Sequence, residues 1–290
     1  MFNDIRVILN NNVGMSVIVS QFNDGSVNVC LPPDVRCPIS VGSIVVHAKL
    51  KNTVTLIALL LTVDACRRRF PDVENISLVA HYMPYARQDR VCNRGESLSS
   101  KVMADLINGC GFDSVTIADP HSDVIVALID NCKVISAESI IASNEVLSNR
   151  IMGGFYTLVA PDAGSRKKIE KIATRFGLDG FVQGSKHRNL KTGELSEITF
   201  SGDVQDKHCL IIDDICDGGG TFVGLAEEMK KAGAISVDLY VTHGFFSRGT
   251  NAVNGENQAI NQIFTTDSIS RDHGTRKSLS IIGIGNNNYE

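Results

Sequence analysis

The segment with the clearest chemical pattern joins carboxylates to glycines. It reads Cys209-Leu-Ile-Ile-Asp213-Asp214-Ile-Cys-Asp217-Gly218-Gly219-Gly220-Thr221. An apolar strand here ends in two carboxylates, turns through three glycines and enters a helix at Thr221. Glycines let successive backbone N–H groups converge on an anion, and the start of a helix adds partial positive charge. Carboxylates beside such a cradle suit sugar hydroxyls rather than the phosphate itself. The alternative is a flexible acidic loop, but three glycines there are costly unless the backbone must approach a ligand.

Strands and helices alternate along the chain and must position this segment. Short apolar runs predict strands at Ile44–Ala48, Ile76–Ala80, Val115–Ala118, Tyr156–Ala160, Cys209–Ile212 and Val237–Val241. Apolar residues at helical spacing predict helices across Val54–Phe70 and from about Leu98 to Asn108. This alternation predicts mostly parallel sheets covered by helices on both faces.

A repeated pattern predicts two such domains. Gly, Val, an aliphatic residue and His recur at the same intervals from Gly111 to His121 and from Gly233 to His243, offset by 122 residues. Each copy reads as a helix stopped by glycine, a buried strand and a histidine at the carboxyl end of that strand. We predict an N-terminal domain over 1–143, a C-terminal domain over 144–275, and a tail over 276–290 that packs on the N-terminal domain.

Composition excludes some classes of function. The 290 residues carry a net charge of −4, which gives no general attraction to nucleic acid. The longest apolar run, Val54–Val63, is too short to cross a membrane, and the first residues lack the pattern of a secretory signal. The eight cysteines are scattered singly, which favours free thiols in a reducing cytoplasm over disulfides or zinc. We therefore expect no nucleic-acid partner and no membrane partner.

Four further segments occur in a fixed order along the chain and carry a family resemblance. They are Tyr85-Ala-Arg87-Gln88-Asp89-Arg90 with Glu96-Ser-Leu-Ser-Ser-Lys101, Asp119-Pro-His121, Ala160-Pro-Asp162-Ala-Gly164, and Thr242-His-Gly-Phe-Phe-Ser247. The glycine-rich segment resembles the phosphoribosyl pyrophosphate loop of type I phosphoribosyltransferases and of ribose-phosphate pyrophosphokinases. The ordered set, over about residues 20–250, resembles the second family. The resemblance implies two tandem phosphoribosyltransferase-type (Rossmann-like) α/β domains in a divergent member.

The resemblance also implies roles for single residues. Lys186 and Arg188, in a stretch that resembles a flexible catalytic loop, would stabilise the transferring group. ATP would be bound by the following residues: Phe22, Asp24, Arg87, Gln88, Asp89 and His121. The phosphorylated ribose would be bound by Asp213, Asp214, Asp217, Gly218, Gly219, Gly220 and Thr221. Mg²⁺ would be held by His121 and Asp162, with Asp119 and Asp130 as secondary ligands.

The segment Phe22-Asn-Asp24-Gly-Ser26 resembles an adenine-contacting hairpin that reaches the ATP site of a neighbouring subunit. This implies a homo-oligomer built of dimers, up to a hexamer, with shared ATP sites. The bare pattern is also that of a simple Asn-Asp-Gly turn, and this interpretation stays open here.

The implied reaction is attack by the C1 hydroxyl of ribose 5-phosphate on the β-phosphorus of ATP, with AMP leaving. Four positions depart from the family pattern: Ser26 for Glu, Pro120 for Leu, Ser165 for Gly and Gly218 for Thr. The space at Gly218 leaves a larger acceptor, such as ADP-ribose, as a second hypothesis. A type I phosphoribosyltransferase and a catalytically silent regulatory homologue are the two remaining hypotheses.

Overall fold

The computed structural model describes residues 4–188, 195–256, 258–270 and 278–284, with backbone only at 186–188 and 195–197. The chain divides into two compact units, Met1–Ile135 and Ser136–Glu290. The division falls at 135/136 rather than at the predicted 143/144. The reason is that the helix Ala137–Ser143 packs against later helices of the second unit.

The first unit contains a six-stranded sheet, a separate hairpin and three helices among its described residues. In chain order they are β1 (Ile5–Leu9), β2 (Val13–Ser16), β3 (Ile18–Gln21), β4 (Val27–Cys30), β5 (Ser43–Ala48), α1 (Thr53–Arg69), β6 (Asn75–Val79), α2 (Ser99–Asn108), β7 (Ser114–Ala118), α3 (Asp123–Leu128) and β8 (Cys132–Ile135).

The sheet of the first unit has the strand order β2-β1-β5-β6-β7-β8. The strands β5 to β8 run parallel, and β1 pairs antiparallel with β2 and β5. The helix α1 begins where Asn52 accepts a hydrogen bond from the Thr55 N–H (3.0 Å) and Thr55 Oγ1 accepts one from the Asn52 N–H (3.1 Å). Its buried face, including Leu56, Leu59 and Val63, covers the core of this unit.

The second unit contains a seven-stranded sheet and five helices among its described residues. In chain order they are α4 (Ala137–Ser143), α5 (Glu145–Met152), β9 (Tyr156–Ala160), α6 (Arg166–Phe176), β10 (Val182–Arg188), β11 (Leu195–Ser201), β12 (His208–Cys216), α7 (Gly220–Lys231), β13 (Ser236–Gly244), α8 (Asn251–Asn254), β14 (Ile260–Thr266) and β15 (Leu279–Ile282).

The sheet of the second unit has the strand order β11-β10-β9-β12-β13-β14-β15 and is parallel except for the β10–β11 pair. The central strand β13 is buried along almost its whole length, as expected for a parallel strand covered on both faces. The prediction of two α/β units with mostly parallel sheets is confirmed.

The strand β15 corrects the prediction for the tail. Its residues pair with β14, with Thr265 opposite Ile281, so this part of the predicted tail is a strand of the second sheet. Ile282 and Ile284 are both 4% exposed, and the Ile284 N–H donates to Asp267 Oδ1 (3.0 Å). Burial of these two isoleucines favours this position.

None of the helices in the described part of the chain has both the length and the apolar content that crossing a membrane requires.

Candidate active site

The candidate acceptor site lies at one edge of the sheet in the second unit. Because β9, β12 and β13 run parallel, the turns that follow them share an edge. These turns are 161–165, 217–219 and 245–250. The carboxyl edge of a parallel α/β sheet is where such folds bind ligands.

The glycine-rich turn leads directly into a helix. Gly219 precedes α7 with φ +76°, in the left-handed region, and a methyl group there would lie 2.5 Å from Cγ2 of Val253. Only glycine therefore fits at this position. Gly220 and Thr221 are the first residues of α7, and the N–H groups of a first helical turn have no carbonyl within the helix. The turn thus offers backbone donors to an anion, as the sequence predicts.

Asp213 and Asp214 form a carboxylate pair next to this turn. Both lie in β12, where the Asp214 N–H donates to Asp213 Oδ1 (2.9 Å). Burial and the charge of Asp214 raise the pKa of Asp213 well above its usual value. Asp214 is buried, and Lys168 Nζ lies 4.0 Å from its Oδ1. Asp217 is exposed in the turn itself. A half-buried carboxylate beside a buried one, with a lysine nearby, is suited to accepting hydrogen bonds from adjacent hydroxyls.

Asp162 occupies the turn that follows β9. Its Oδ1 accepts hydrogen bonds from the N–H groups of Gly164 (2.9 Å) and Ser165 (3.1 Å). The carboxylate therefore shapes the turn through backbone contacts, whatever else it binds.

The structure gives Lys186 and Arg188 a strand backbone. The first residues of the stretch 183–197, which resembles a flexible catalytic loop, lie in β10 and pair with β11. Gly184 allows this position, since a methyl group there would lie 2.7 Å from the Pro161 carbonyl oxygen. The side chains of Lys186 and Arg188 lie outside what the structure describes.

The candidate ATP residues in the first unit follow β6 and β7. These strands are parallel neighbours, and the Ala118 N–H donates to the His81 carbonyl (2.8 Å). Arg87 and Gln88 follow β6 and are exposed, while His121 follows β7 and is exposed. Asp119 is buried and adopts φ +38°, a strained conformation for a residue with a side chain. The structure thus places the two predicted ATP segments after neighbouring strands of one sheet.

Asp89 differs from its predicted neighbours. Its side chain is 5% exposed and accepts a hydrogen bond from Arg90 Nε (3.0 Å). Burial acts to raise its pKa, but Ser122, Arg90 and the charge of His121 outweigh burial and lower the pKa. An inward carboxylate of this kind positions the turn rather than presenting an oxygen to solvent. A direct contact of Asp89 with ATP stays a prediction.

Asp130 is not brought together with the other predicted metal ligands. It precedes β8, whereas Asp119 and His121 follow β7, and these two strands are parallel. The two positions are therefore at opposite edges of the sheet, roughly 13–16 Å apart for strands of four or five residues. This distance is inconsistent with a secondary ligand role for Asp130. The prediction failed because the sequence pattern did not reveal on which side of β8 the residue lies.

The predicted hairpin is present as β3 and β4. Phe22 is 61% exposed at its tip, and its N–H donates to the Ser26 carbonyl (2.9 Å). Asp24 accepts hydrogen bonds from the Ser26 hydroxyl (2.5 Å) and N–H (2.9 Å), and these lower the pKa of Asp24. Ser26 thus has a local role in holding the turn, where the family pattern has Glu.

Two residues near the candidate acceptor site were not anticipated. Lys168 lies in the first turn of α6, and Arg248 lies in the turn after β13. For Lys168 the available signal was its place six residues after Asp162, at the start of the next helix. For Arg248 it was the continuation of the Thr242–Ser247 motif by one residue.

Comparison with known proteins identifies the class of domain in the second unit and then the family of the whole chain. Residues 133–263 match the phosphoribosyl transferase domain family, so the second unit is a domain of the phosphoribosyltransferase type. Residues 3–111 match the N-terminal domain of ribose phosphate pyrophosphokinase. The chain belongs to the ribose-phosphate pyrophosphokinase family, which confirms the resemblance seen in the sequence.

Individual relatives support this assignment. The ribose-phosphate pyrophosphokinase of Agrobacterium fabrum is 33% identical over 230 residues, covering 78% of this chain and 71% of the relative. The enzyme of the same name from Vibrio parahaemolyticus is 32% identical over 259 residues, covering 87% and 78%. The crystal structure of phosphoribosylpyrophosphate synthetase from Mycobacterium smegmatis has the same fold, with a TM-score of 0.76, 23% identity, and coverage of 93% of this chain and 86% of that one.

Proposed function

We propose that the protein transfers the β,γ-pyrophosphate of ATP to the C1 hydroxyl of ribose 5-phosphate, giving phosphoribosyl pyrophosphate and AMP. The observation that carries the proposal is the pair of half-buried Asp213 and buried Asp214 directly before the backbone cradle of Gly218 to Thr221. Carboxylates for hydroxyls next to amides for a phosphate match the two ends of a ribose 5-phosphate.

The acceptor would lie along the carboxyl edge of the second sheet. The 5-phosphate accepts hydrogen bonds from the N–H groups at the start of α7, where the helix dipole also favours negative charge. The ribose hydroxyls donate to Asp213 and Asp214. Both contacts leave the C1 hydroxyl unblocked, as the reaction requires.

ATP would use the exposed groups that follow β6 and β7. The planar guanidinium of Arg87 suits phosphate oxygens, and the Gln88 amide offers both a donor and an acceptor. Asp89 holds this turn from the inside through Arg90. His121 stands on the neighbouring turn of the same sheet.

Mg²⁺ fits the donors present. Within the described ranges no group of three or more His, Cys, Asp or Glu side chains could hold an ion alone. Mg²⁺ ordinarily binds through one or two carboxylates together with substrate phosphates and water. Within the first unit, Asp119 and His121 follow β7 and would hold it together with the ATP phosphates, and Asp162 of the second unit stays a predicted ligand. When bound, Mg²⁺ neutralises phosphate charge and polarises the phosphorus under attack.

The transfer needs no covalent nucleophile on the protein. The chain would align the C1 hydroxyl with the β-phosphorus, and alignment of this kind removes much of an entropic barrier. Lys186 and Arg188 would stabilise the charge that develops on the transferring group.

The comparisons favour this reaction over the competing hypotheses. The relatives carry the name ribose-phosphate pyrophosphokinase, and nothing among the comparisons supports ADP-ribose as the acceptor. A type I phosphoribosyltransferase does not account for residues 3–111, which match a pyrophosphokinase N-terminal domain. A silent regulatory homologue is disfavoured by the presence of Asp213, Asp214, His121 and Lys186.

We also propose a shared-site homo-oligomer in a reducing compartment such as the cytoplasm. The hairpin β3–β4, with Phe22 exposed at its tip, supports the assembly, because it resembles the adenine-contacting hairpin that reaches a neighbouring subunit in the family. All eight cysteines are free, which is typical of proteins kept under reducing conditions.

The proposal is tested by incubating the protein with ATP-Mg²⁺ and a panel of 5-substituted riboses, with products read by mass spectrometry. We expect equimolar AMP and phosphoribosyl pyrophosphate with ribose 5-phosphate, and loss of both products when the metal is chelated. Absence of AMP release with every acceptor would support a silent homologue instead.

A further inference from the structure

The turn after β13 places a guanidinium beside the glycine-rich turn. A methyl group added to Gly218 would lie 3.6 Å from Nε and 3.8 Å from Cδ of Arg248. These are ordinary contact distances, so the Arg248 side chain passes across the face that a side chain at position 218 would occupy. Gly218 itself offers no hydroxyl to a ligand.

The backbone fixes this relationship. The Cys216 carbonyl, at the end of β12, accepts hydrogen bonds from the N–H groups of Phe245 (2.8 Å) and Phe246 (3.3 Å). Phe246 is 5% exposed, and its carbonyl accepts from the Gly249 N–H (2.7 Å). The turn that bears Arg248 is therefore tied to the end of β12 just before this residue, and the Gly249–Phe246 hydrogen bond closes the turn around it.

The charge of Arg248 is available to a ligand. The side chain is exposed, and within the described ranges no carboxylate lies at ion-pair distance from its guanidinium. Arginine presents several N–H donors in a planar fork that matches phosphate oxygens, and it stays charged at all physiological pH values.

We propose that Arg248 is an acceptor-binding residue whose guanidinium donates to the 5-phosphate from the side of Gly218. It takes the place of the hydroxyl that a threonine at 218 would present. This inference rests on the proposed function for the identity of the phosphate. Threonine at 218 and arginine at 248 are alternative solutions, since the branches of a threonine would meet the guanidinium.

The test is a pair of variants and their combination, compared in binding and in turnover. Arg248→Ala is expected to weaken ribose 5-phosphate binding, measured by titration calorimetry, by about tenfold or more, with ATP binding within twofold of the native protein. Gly218→Thr alone is expected to gain nothing, because the new side chain displaces Arg248. In the Arg248→Ala background, the same change to threonine is expected to recover at least about threefold, because its hydroxyl restores a donor.

Arg175→Ala is the matched control, since Arg175 is an exposed arginine in the last turn of α6, away from the sheet edge that carries the glycine-rich turn. Thermal unfolding of all variants checks that they are folded. Equal loss of ATP and ribose 5-phosphate binding, or unchanged binding of both, overturns the proposal. Failure of the native protein to bind ribose 5-phosphate overturns it as well. If the native protein binds ribose 5-phosphate without releasing AMP, only the proposed reaction fails, and the calorimetric comparison still decides the role of Arg248.

Discussion

At the scale of single residues, the carboxylate pair shows a conflict between stability and binding. Burial and Asp214 raise the pKa of Asp213, so the folded chain holds a proton on this carboxyl more tightly than the unfolded chain does. The stability that comes from this proton is present below the unfolded pKa of about 3.9 and is lost as the pH rises through the folded pKa. Above the unfolded pKa the raised pKa of Asp213 therefore costs stability, which is typical of a binding site kept for its ligand.

Asp213→Asn should consequently raise the melting temperature at pH 7 while lowering turnover. A gain of roughly 1 kcal/mol would correspond to about 2–4 °C in a domain of this size. The gain should disappear below about pH 3.5, where the native carboxyl is itself neutral. Calorimetric melting at the two pH values measures this, and an unfavourable change at pH 7 would contradict the pKa direction. Asp214→Asn is the comparison, and a smaller gain is expected, because it relieves the same repulsion but removes the carboxylate beside Lys168.

Lys186 is the second residue whose role a substitution can isolate. Lys186→Ala should lower kcat by about 10²–10³-fold and leave ATP binding nearly unchanged, as expected for a contact made mainly in the transition state. Steady-state kinetics together with equilibrium binding of ATP separates the two effects. Lys171→Ala, at an exposed lysine on α6, is the control. Unchanged turnover in the Lys186 variant would remove this residue from the mechanism.

At the scale of elements, the conformation of the glycine-rich turn depends on the absence of a side chain at Gly219. Gly219→Ala places a methyl group at φ +76° and 2.5 Å from Val253. The backbone conformation alone costs about 1–2 kcal/mol for a residue with a side chain, and Val253 must also move. We expect a lower melting temperature and a higher KM for ribose 5-phosphate. Gly220→Ala is the control for this steric explanation, because nothing lies within 4 Å of the methyl group added there. The stability of this variant should be close to native.

The elements also show what a single sequence predicts well. Strands such as β12 and β13 were predicted because their buried runs are continuous and β-branched, and parallel pairing then places the ends of β9, β12 and β13 at one edge. Asp130 was misplaced because residue type alone does not show on which side of a short strand a carboxylate lies. The burial of Asp89 could not be predicted, because its neighbours Arg87, Gln88 and Arg90 are exposed and only packing reveals that it faces inward.

Two further differences arise from contacts distant in sequence. Arg248 reaches Gly218 only because the turn after β13 is hydrogen-bonded to the end of β12. The segment 182–188, polar in sequence, becomes a strand because Gly184 lets its backbone approach the turn after β9. Neither contact produces a repeat in the spacing of residue types, so neither could be predicted from the sequence pattern.

At the scale of the whole molecule, the proposed shared site makes a prediction about mixtures. If Phe22 of one subunit completes the ATP site of its neighbour, Phe22→Ala and Lys186→Ala disable the same site from different chains. Each variant alone should be nearly inactive. In a random mixture of dimers half would be mixed, each with one intact site of two, so about a quarter of native activity should return. Activity after mixing and co-refolding the two variants measures this.

Two controls accompany the mixing experiment. Light scattering on the native protein should show at least a dimer, and a fully active monomer would contradict the shared site. A mixture of Lys186→Ala with Arg188→Ala should not regain comparable activity, because each of these residues would act in the site of its own subunit.

The strand β15 has a consequence for how the protein is handled and engineered. It covers the open side of β14 with a parallel ladder from Leu279 to Ile282. Removing these residues would leave a row of unsatisfied backbone donors and acceptors along β14, which is a template for pairing with another chain. A truncated version would then be expected to form soluble aggregates and inclusion bodies, even with every ligand-binding residue intact. An affinity tag attached after this strand should therefore carry a hydrophilic spacer, so that the ladder is not pulled away from its neighbour.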